Sequence, residues 1–294
     1  MADDYAPVTT RAMFEAQCRE RLSTVYIGGR TLLCRIMGQF LCYLDADDAA
    51  VAPHLAMDGF WEAWNSVALT RHVQRGWRVA DVGANHGYFT LLLASLVGEE
   101  GRVFAVEPNP HLVHLLGRTV RMNGFDDRVT LLPYAAGAKN GEGELRVPRG
   151  FTGDGSMTLE RPGNVMSCPV PQRRLDELID APIDFLRIDA EGADYDVLDG
   201  ALGLLPTDRA VSVLLEHHAP YHKQPAHALE RLIAVGFTLR YVTYEGDLVP
   251  ATIADLAAQP TRFWDVWLSR EPRPKPSKKS GAYGRQRVLQ VRDH

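Results

Sequence analysis

The chain has no run approaching the roughly 18 uncharged apolar residues that a membrane-spanning helix needs, which excludes an integral helical membrane protein. It has only four cysteines, Cys18, Cys34, Cys42 and Cys168, and no CxxC pair, so neither a zinc knuckle nor a disulfide framework is expected and reduced structural thiols are. No apolar stretch followed by a small-residue cleavage site opens the sequence, so the cytoplasm is the expected compartment. No internal repeat of fixed period is present. Basic charge is scarce outside the end of the chain: residues 270–294 carry eight Lys/Arg against two acids, so the other 269 residues stand at −11 against −5 overall. An acidic body repels a polyanion, which disfavours nucleic acid as a partner and leaves the tail alone able to attract one.

What is present is the composition of a globular protein: 294 residues, 46% hydrophobic and 23% charged, enough for one large domain or a domain with an appendage. Residues 1–75 mix a predicted helix over 11–22 with strand-like runs, VYIGGRTLLCRIM and QFLCYL, in which Gly28, Gly29 and Gly38 read as turns. From Trp77 the register changes. Short β-branched runs alternate with helical periodicity, the pattern of a parallel sheet wrapped by crossover helices. The reading is therefore an α/β, Rossmann-like doubly wound domain over residues 76–270, preceded by an N-terminal α+β extension (1–75). It is interrupted by a Gly/Pro/Ser-rich insertion or lid (138–178) and followed by a basic, disordered tail (271–294). The surest helix has Asn109 as its cap, Pro110 in its first turn, an apolar face of Leu112, Leu115, Leu116 and Val120, and Gly124 as its stop. TLRYVTY and FWDVWLS are expected to close the sheet as an antiparallel pair.

In VADVGANHGYFT a strand runs through Asp81 into a loop with Gly83 and Gly87 that opens a helix, and Glu107 ends the next strand. Strand, glycine loop, helix and a following acid describe a nucleoside-binding βαβ unit. Glycine lets backbone approach a ligand, and a carboxylate can accept hydrogen bonds from both ribose hydroxyls. A dinucleotide loop wants a second glycine where this chain has Asn85, which weakens an NAD-dependent oxidoreductase as the reading. S-adenosylmethionine has no phosphate and carries a cationic amino group, for which Asp81 is a candidate counter-ion. Both glycines are also explained by close packing of helix on strand.

These strings, WRVADVGANHGYFTLLLASLVGEEGRVFAVEPNP and IDFLRIDAEGADYDVLDGA, resemble the FkbM family of methyltransferases, with its "DVGANxGxxT" loop, "EPxP" strand end and "IDxEGxE" signature. DGFWE (58–62), RRLDEL (173–178) and LLEHH (214–218) fall in matching order, and the likeness runs over about residues 30–270. Asp194 stands where the family often has Glu, and Ala190 where a β-branched residue is usual. The resemblance implies a class I methyltransferase fold that binds S-adenosylmethionine through Asp81, Gly83, Ala84, Asn85, Gly87, Tyr88, Phe89, Thr90, Glu107, Pro108, Asn109, Ala135, Ala136 and Asp189. It also implies methylation of a hydroxyl on a small-molecule, sugar or lipid-linked acceptor. A cofactor-binding scaffold without turnover is the alternative outside enzymes.

Ligands of open α/β sheets sit at the carboxyl ends of strands, and among those ends the resemblance implies that Asp189 to Glu191 and Glu216 to His218 face the acceptor. A hydroxyl must lose its proton as the new bond forms, and His217 or Asp189 is the favoured general base. His217 and His218 are adjacent on a strand, so only one of them reaches the cleft. A divalent cation held by Asp189, Glu191 and Glu216 is possible but not favoured, and no metal ligand set is assigned. Trp61 and Glu62 are candidate lid residues.

Overall fold

A computed structural model describes residues 10–160, 163–222 and 225–272; the basic tail lies almost wholly outside them. Helix α1 (Arg11–Glu20) is capped by the Thr10 hydroxyl, which accepts from the Met13 amide at 3.2 Å. Strands β1 (Ser23–Gly28), β2 (Thr31–Ile36) and β3 (Phe40–Asp45) form an antiparallel sheet whose first turn uses the positive φ of Gly28 and Gly29. Two helices absent from the sequence reading follow, α2 (Val51–Asp58) and α3 (Ala63–His72).

The central sheet then begins. Strand β4 (Arg78–Val82) leads to α4 (Tyr88–Val97), β5 (Arg102–Val106) to α5 (Pro110–Met122), and β6 (Val129–Leu132) to the short β7 (Ala135–Ala136). The expected third strand is thus broken at Pro133 and Tyr134, and β7 leaves for another sheet. There it joins the hairpin β8 (Gly141–Pro148) and β9 (Val165–Arg173) in the order β7-β9-β8, within the stretch read as an insertion or lid. Helix α6 (Leu175–Leu178), β10 (Phe185–Ile188), α7 (Asp194–Ala201), β11 (Val211–His217) and α8 (Pro225–Ala234) complete the parallel half. Strands β12 (Thr238–Val242), β13 (Leu248–Pro250) and β14 (Trp264–Arg270) close the edge.

The eight-stranded order is β13-β12-β14-β11-β10-β4-β5-β6. β11, β10, β4, β5 and β6 pair in parallel, while β14 runs antiparallel to both β11 and β12. The strand sequence doubles back about β4, so the ends of β4 and β10 form the crevice where such sheets take ligands. The two faces bury separate apolar cores. On one, Phe185, Leu214 and Trp267 pack with α3, α4 and the N-terminal elements, including Phe14, Ile36 and Leu55. The N-terminal extension therefore has no core of its own and completes the layer over that face. On the other, Leu186, Ile188 and Leu215 pack with Val197 and Leu198 of α7 and Leu229 and Leu232 of α8. Cys18, Cys34 and Cys42 are buried free thiols, and burial pushes Cys18 and Cys42 up to about 12, so they stay protonated packing groups.

Candidate active site

At the carboxyl ends of β4, β5 and β10 lies a solvent-open cleft with an empty volume of about 1160 Å³. Its geometry starts from two register-paired residues, Asp81 on β4 and Arg187 on β10, which therefore project from the same face of the sheet. Arg187 Nη1 lies 3.1 Å from Asp81 Oδ1, and its Nη2 lies 2.7 Å from Asp189 Oδ2. The guanidinium also lies over the Phe89 ring, 4.1 Å from its centre. Burial alone would lower the arginine, but the carboxylates of Asp189, Asp81 and Glu62 outweigh it and raise it, so it is held charged. The second Asp81 oxygen accepts from Thr90 Oγ1 at 2.6 Å. Asp81 is fully buried and does not line the cleft; Thr90 and Gly87 do not line it either. A lone arginine inside the apolar strand IDFLRIDA was the readable sign of this ion pair, since a buried charge must be paired.

The loop after β4 turns where Gly83 has φ +79° and donates its amide to the Val106 carbonyl at 3.0 Å, as Ala84 does at 3.1 Å. A Cβ on Gly83 would stand 1.8 Å from the Asp189 carbonyl oxygen, and one on Gly87 would stand 2.5 Å from Leu116 Cδ1. Both glycines thus answer to the close approach of protein elements, which is the packing explanation. Asn85 takes up a left-handed φ of +52°. Its amide donates to Glu107 Oε2 at 2.9 Å, and the Asn109 amide donates to Oε1 at 2.8 Å. Glu107 is therefore fixed by the loop on one side and the α5 cap on the other. Burial pushes its carboxyl up to about 7 against these two hydrogen bonds, with Asp81 and Asp189 adding to the rise.

Ala84, Asn85, Tyr88, Phe89, Pro108 and Asn109 also line the cleft, with Ala135 and Ala136 forming an apolar stretch of wall. Asp189 and Glu191 line it from the end of β10. The flap between β8 and β9 covers this space. Asn109 Nδ2 donates to the Thr152 carbonyl at 3.2 Å, Thr152 Oγ1 to Asp45 at 3.0 Å, and Ser156 Oγ to the Glu191 carbonyl at 2.7 Å. Buried His86 accepts from the Asp45 amide through Nε2 at 3.1 Å, tying the glycine loop to the end of β3.

Trp61 and Glu62 lie at the head of α3 and line the cleft, as does Glu216 near the end of β11. His217 and His218 do not. His217 faces the α7 side, where its Nδ1 lies 2.6 Å from the Tyr195 hydroxyl, and His218 stacks on Phe263 with ring centres 3.9 Å apart. Burial first, then the neighbouring His218, lowers His217 to about 4, so its imidazole is neutral. Among the described residues no group of three or more His, Cys, Asp or Glu side chains is arranged to hold a metal ion. No helix there is long and apolar enough to cross a membrane.

A family model, the methyltransferase FkbM domain, matches residues 81–242, more than half of the chain. The chain belongs to the FkbM methyltransferase family. The matched span runs from Asp81 to Val242 and takes in the glycine loop, Glu107, Asp189 and Glu216. A protein-L-isoaspartate O-methyltransferase of Methanopyrus kandleri is 31% identical over 110 residues, covering 35% of this chain and 48% of that protein. The chain spans no more than about half the length of the curated relatives it matches. Among solved structures, an FkbM methyltransferase of Methylobacillus flagellatus aligns with 20% identity and a TM-score of 0.41, over 66% of this chain and 43% of that one. A SAM-dependent O-methyltransferase of Thermotoga maritima aligns with 14% identity and a TM-score of 0.43, over 88% and 89%.

The family implies S-adenosylmethionine, and the lining fits that group. Among the described residues six carboxyl side chains, Glu62, Glu107, Asp154, Asp189, Glu191 and Glu216, meet one arginine, Arg187, and no lysine. That arginine already serves Asp81 and Asp189, so among the described residues no free cation lines the cleft for a pyrophosphate, whereas a sulfonium nucleoside meets opposite charge.

Proposed function

We propose that this FkbM-family chain transfers the methyl group of S-adenosylmethionine to a hydroxyl of a small-molecule, sugar or lipid-linked acceptor. The observation that carries the reading is the sign of the cleft: among the described residues carboxyl groups dominate the lining and the one arginine is already paired. Such a surface attracts the cationic donor and tolerates a neutral hydroxyl. It repels a carboxylate acceptor of the kind named in the isoaspartate methyltransferases, and it repels nucleic-acid phosphates.

In this reading Glu107 takes the ribose hydroxyls on the lone pairs left free by Asn85 and Asn109, and Ala135 and Ala136 border the purine. Asp189 and Glu191 lie toward methionine and acceptor, with Asp81 acting at one remove through Arg187. The donor, when bound, supplies a methyl already activated by positive charge, so the protein's share is alignment, exclusion of water by the flap, and removal of one proton. Transfer of labelled methyl groups to panels of polyols, glycosides, carboxylate peptides and RNA tests it. Labelling confined to hydroxyl-bearing compounds is expected; labelling of carboxylates or RNA alone overturns the acceptor assignment.

A further inference from the structure

We propose that Glu216 is the group that takes the acceptor's proton, and that the positive charge of the bound donor converts it to the carboxylate able to do so. The inference rests on the methyl-transfer reading above and goes beyond it by naming the base and what arms it.

Glu216 is the penultimate residue of β11, register-paired with Asp265 on β14, and it lines both the main cleft and a smaller chamber behind it. Around it stand Asp189 and Glu191 from the loop after β10, Asp194 at the start of α7, Glu62 from the head of α3 and Asp265 from β14. Among the described residues the only cation on this wall is Arg187, bound to Asp81 and Asp189. The other candidates already have partners: Asp265 accepts from Trp64 Nε1 at 2.8 Å and Asn65 Nδ2 at 2.7 Å, and Glu62 accepts from Asn65 Nδ2 at 3.0 Å. Among the described residues, no group donates a hydrogen bond to the Glu216 carboxyl. Its near neighbours His217 and His218 are turned away from the cleft.

Burial first, and then the surrounding carboxylates, raise Glu216 well above the usual carboxylate range, so in the empty cleft it is a neutral acid and no base. A sulfonium in the cleft adds one positive charge and favours ionisation. In the transfer, the acceptor oxygen bonds to the methyl carbon, the carbon–sulfur electron pair stays on sulfur, and the hydroxyl proton passes to the Glu216 carboxylate. The positive charge on sulfur and the negative charge on Glu216 vanish together, returning the residue to the form the cleft favours.

Calorimetric titration of the full chain with S-adenosylmethionine and with S-adenosylhomocysteine, in buffers of different ionisation enthalpy near pH 7.5, counts the protons released. Donor binding is expected to release about one proton more than product binding, because only the donor carries the sulfonium. Glu216→Gln should bind both ligands and abolish the difference. Equal counts in the unmodified protein, or a difference that survives in Glu216→Gln, overturn the proposal. The unmodified comparison decides alone if the variant does not fold. Binding of neither ligand would instead defeat the methyl-transfer reading.

Discussion

The Asp189 carbonyl oxygen occupies the space that a side chain on Gly83 would need: a Cβ built there stands 1.8 Å from it. The glycine loop after β4 and the chain leaving β10 at Asp189 are thus in backbone contact at the mouth of the cleft. Gly83 also holds φ +79°, which side chains disfavour. Gly83→Ala is therefore expected to cost about 2 to 5 kcal/mol, from left-handed strain and overpacking together. Chemical unfolding checks this, and a loss below 1 kcal/mol would show that β4 and β10 separate easily.

Glu107→Ala removes the acceptor of the Asn85 and Asn109 amides as well as the proposed partner of the ribose. Donor affinity should fall by about 1 to 3 kcal/mol, as for a charge-assisted hydrogen bond. Titration with S-adenosylhomocysteine measures the same loss free of turnover. Unchanged affinity would take the sugar away from Glu107.

Much of this architecture is legible in local patterns. The α5 helix begins where Asn109 caps it, its Oδ1 accepting from the His111 amide at 3.0 Å, and it ends just before Gly124, as propensity and periodicity dictate. The antiparallel pair at the sheet edge and the inserted hairpin are likewise visible as β-branched runs between turns. The helices α2 and α3 are not, because Pro53 and the left-handed Glu62 interrupt any long amphipathic stripe and tertiary packing on α1 and α4 decides them. At the site, strand ends name Asp189, Glu191 and Glu216, and period two places Glu216 and His217 on opposite faces. Which face borders the cleft depends on α3 covering one side and α7 the other, and no local pattern carries that.

Replacing His217 by alanine should leave turnover within about threefold of the parent while costing about 1 to 3 kcal/mol of stability, since the half-buried Tyr195 hydroxyl loses its partner at 2.6 Å. His218→Ala loses its stacking on Phe263 and should likewise spare turnover. Kinetics read beside thermal unfolding separate the two effects. A hundredfold loss of turnover at unchanged stability would return a histidine to the acceptor side.

Stability should decline as pH rises above neutrality. The carboxyls of Glu107 and Asp194 are raised by burial from 4.5 and 3.8 to about 7 in the folded protein. Their contribution is complete below the unfolded values and is lost as pH climbs through about 7. His217 and His222 are lowered from 6.5 to about 4, so their contribution is lost only as pH falls from 6.5 and is constant above it. Between pH 6.5 and 8.5 these two carboxyls should therefore remove about 1 to 2 kcal/mol, and Glu62 and Glu216, also raised by burial, add to the loss in the same direction. Urea unfolding at the two pH values tests this, and equal or greater stability at pH 8.5 contradicts it.

The Asp81–Arg187 pair is the structural hinge between the glycine loop and the acid-lined wall. With both partners buried, truncating one leaves the other charged and desolvated, so Arg187→Met is expected to cost about 3 to 5 kcal/mol. Asp81→Asn keeps the shape and lets the amide oxygen accept from Thr90, so it should cost less. In the double variant the uncompensated charge at position 81 is gone, and the combined loss should fall short of the sum of the single losses by at least 1 kcal/mol. Denaturant unfolding of the four proteins completes the cycle. Strict additivity would mean that Arg187 is retained for Asp189 and Phe89 alone, and that Asp81 is held by Thr90 without it.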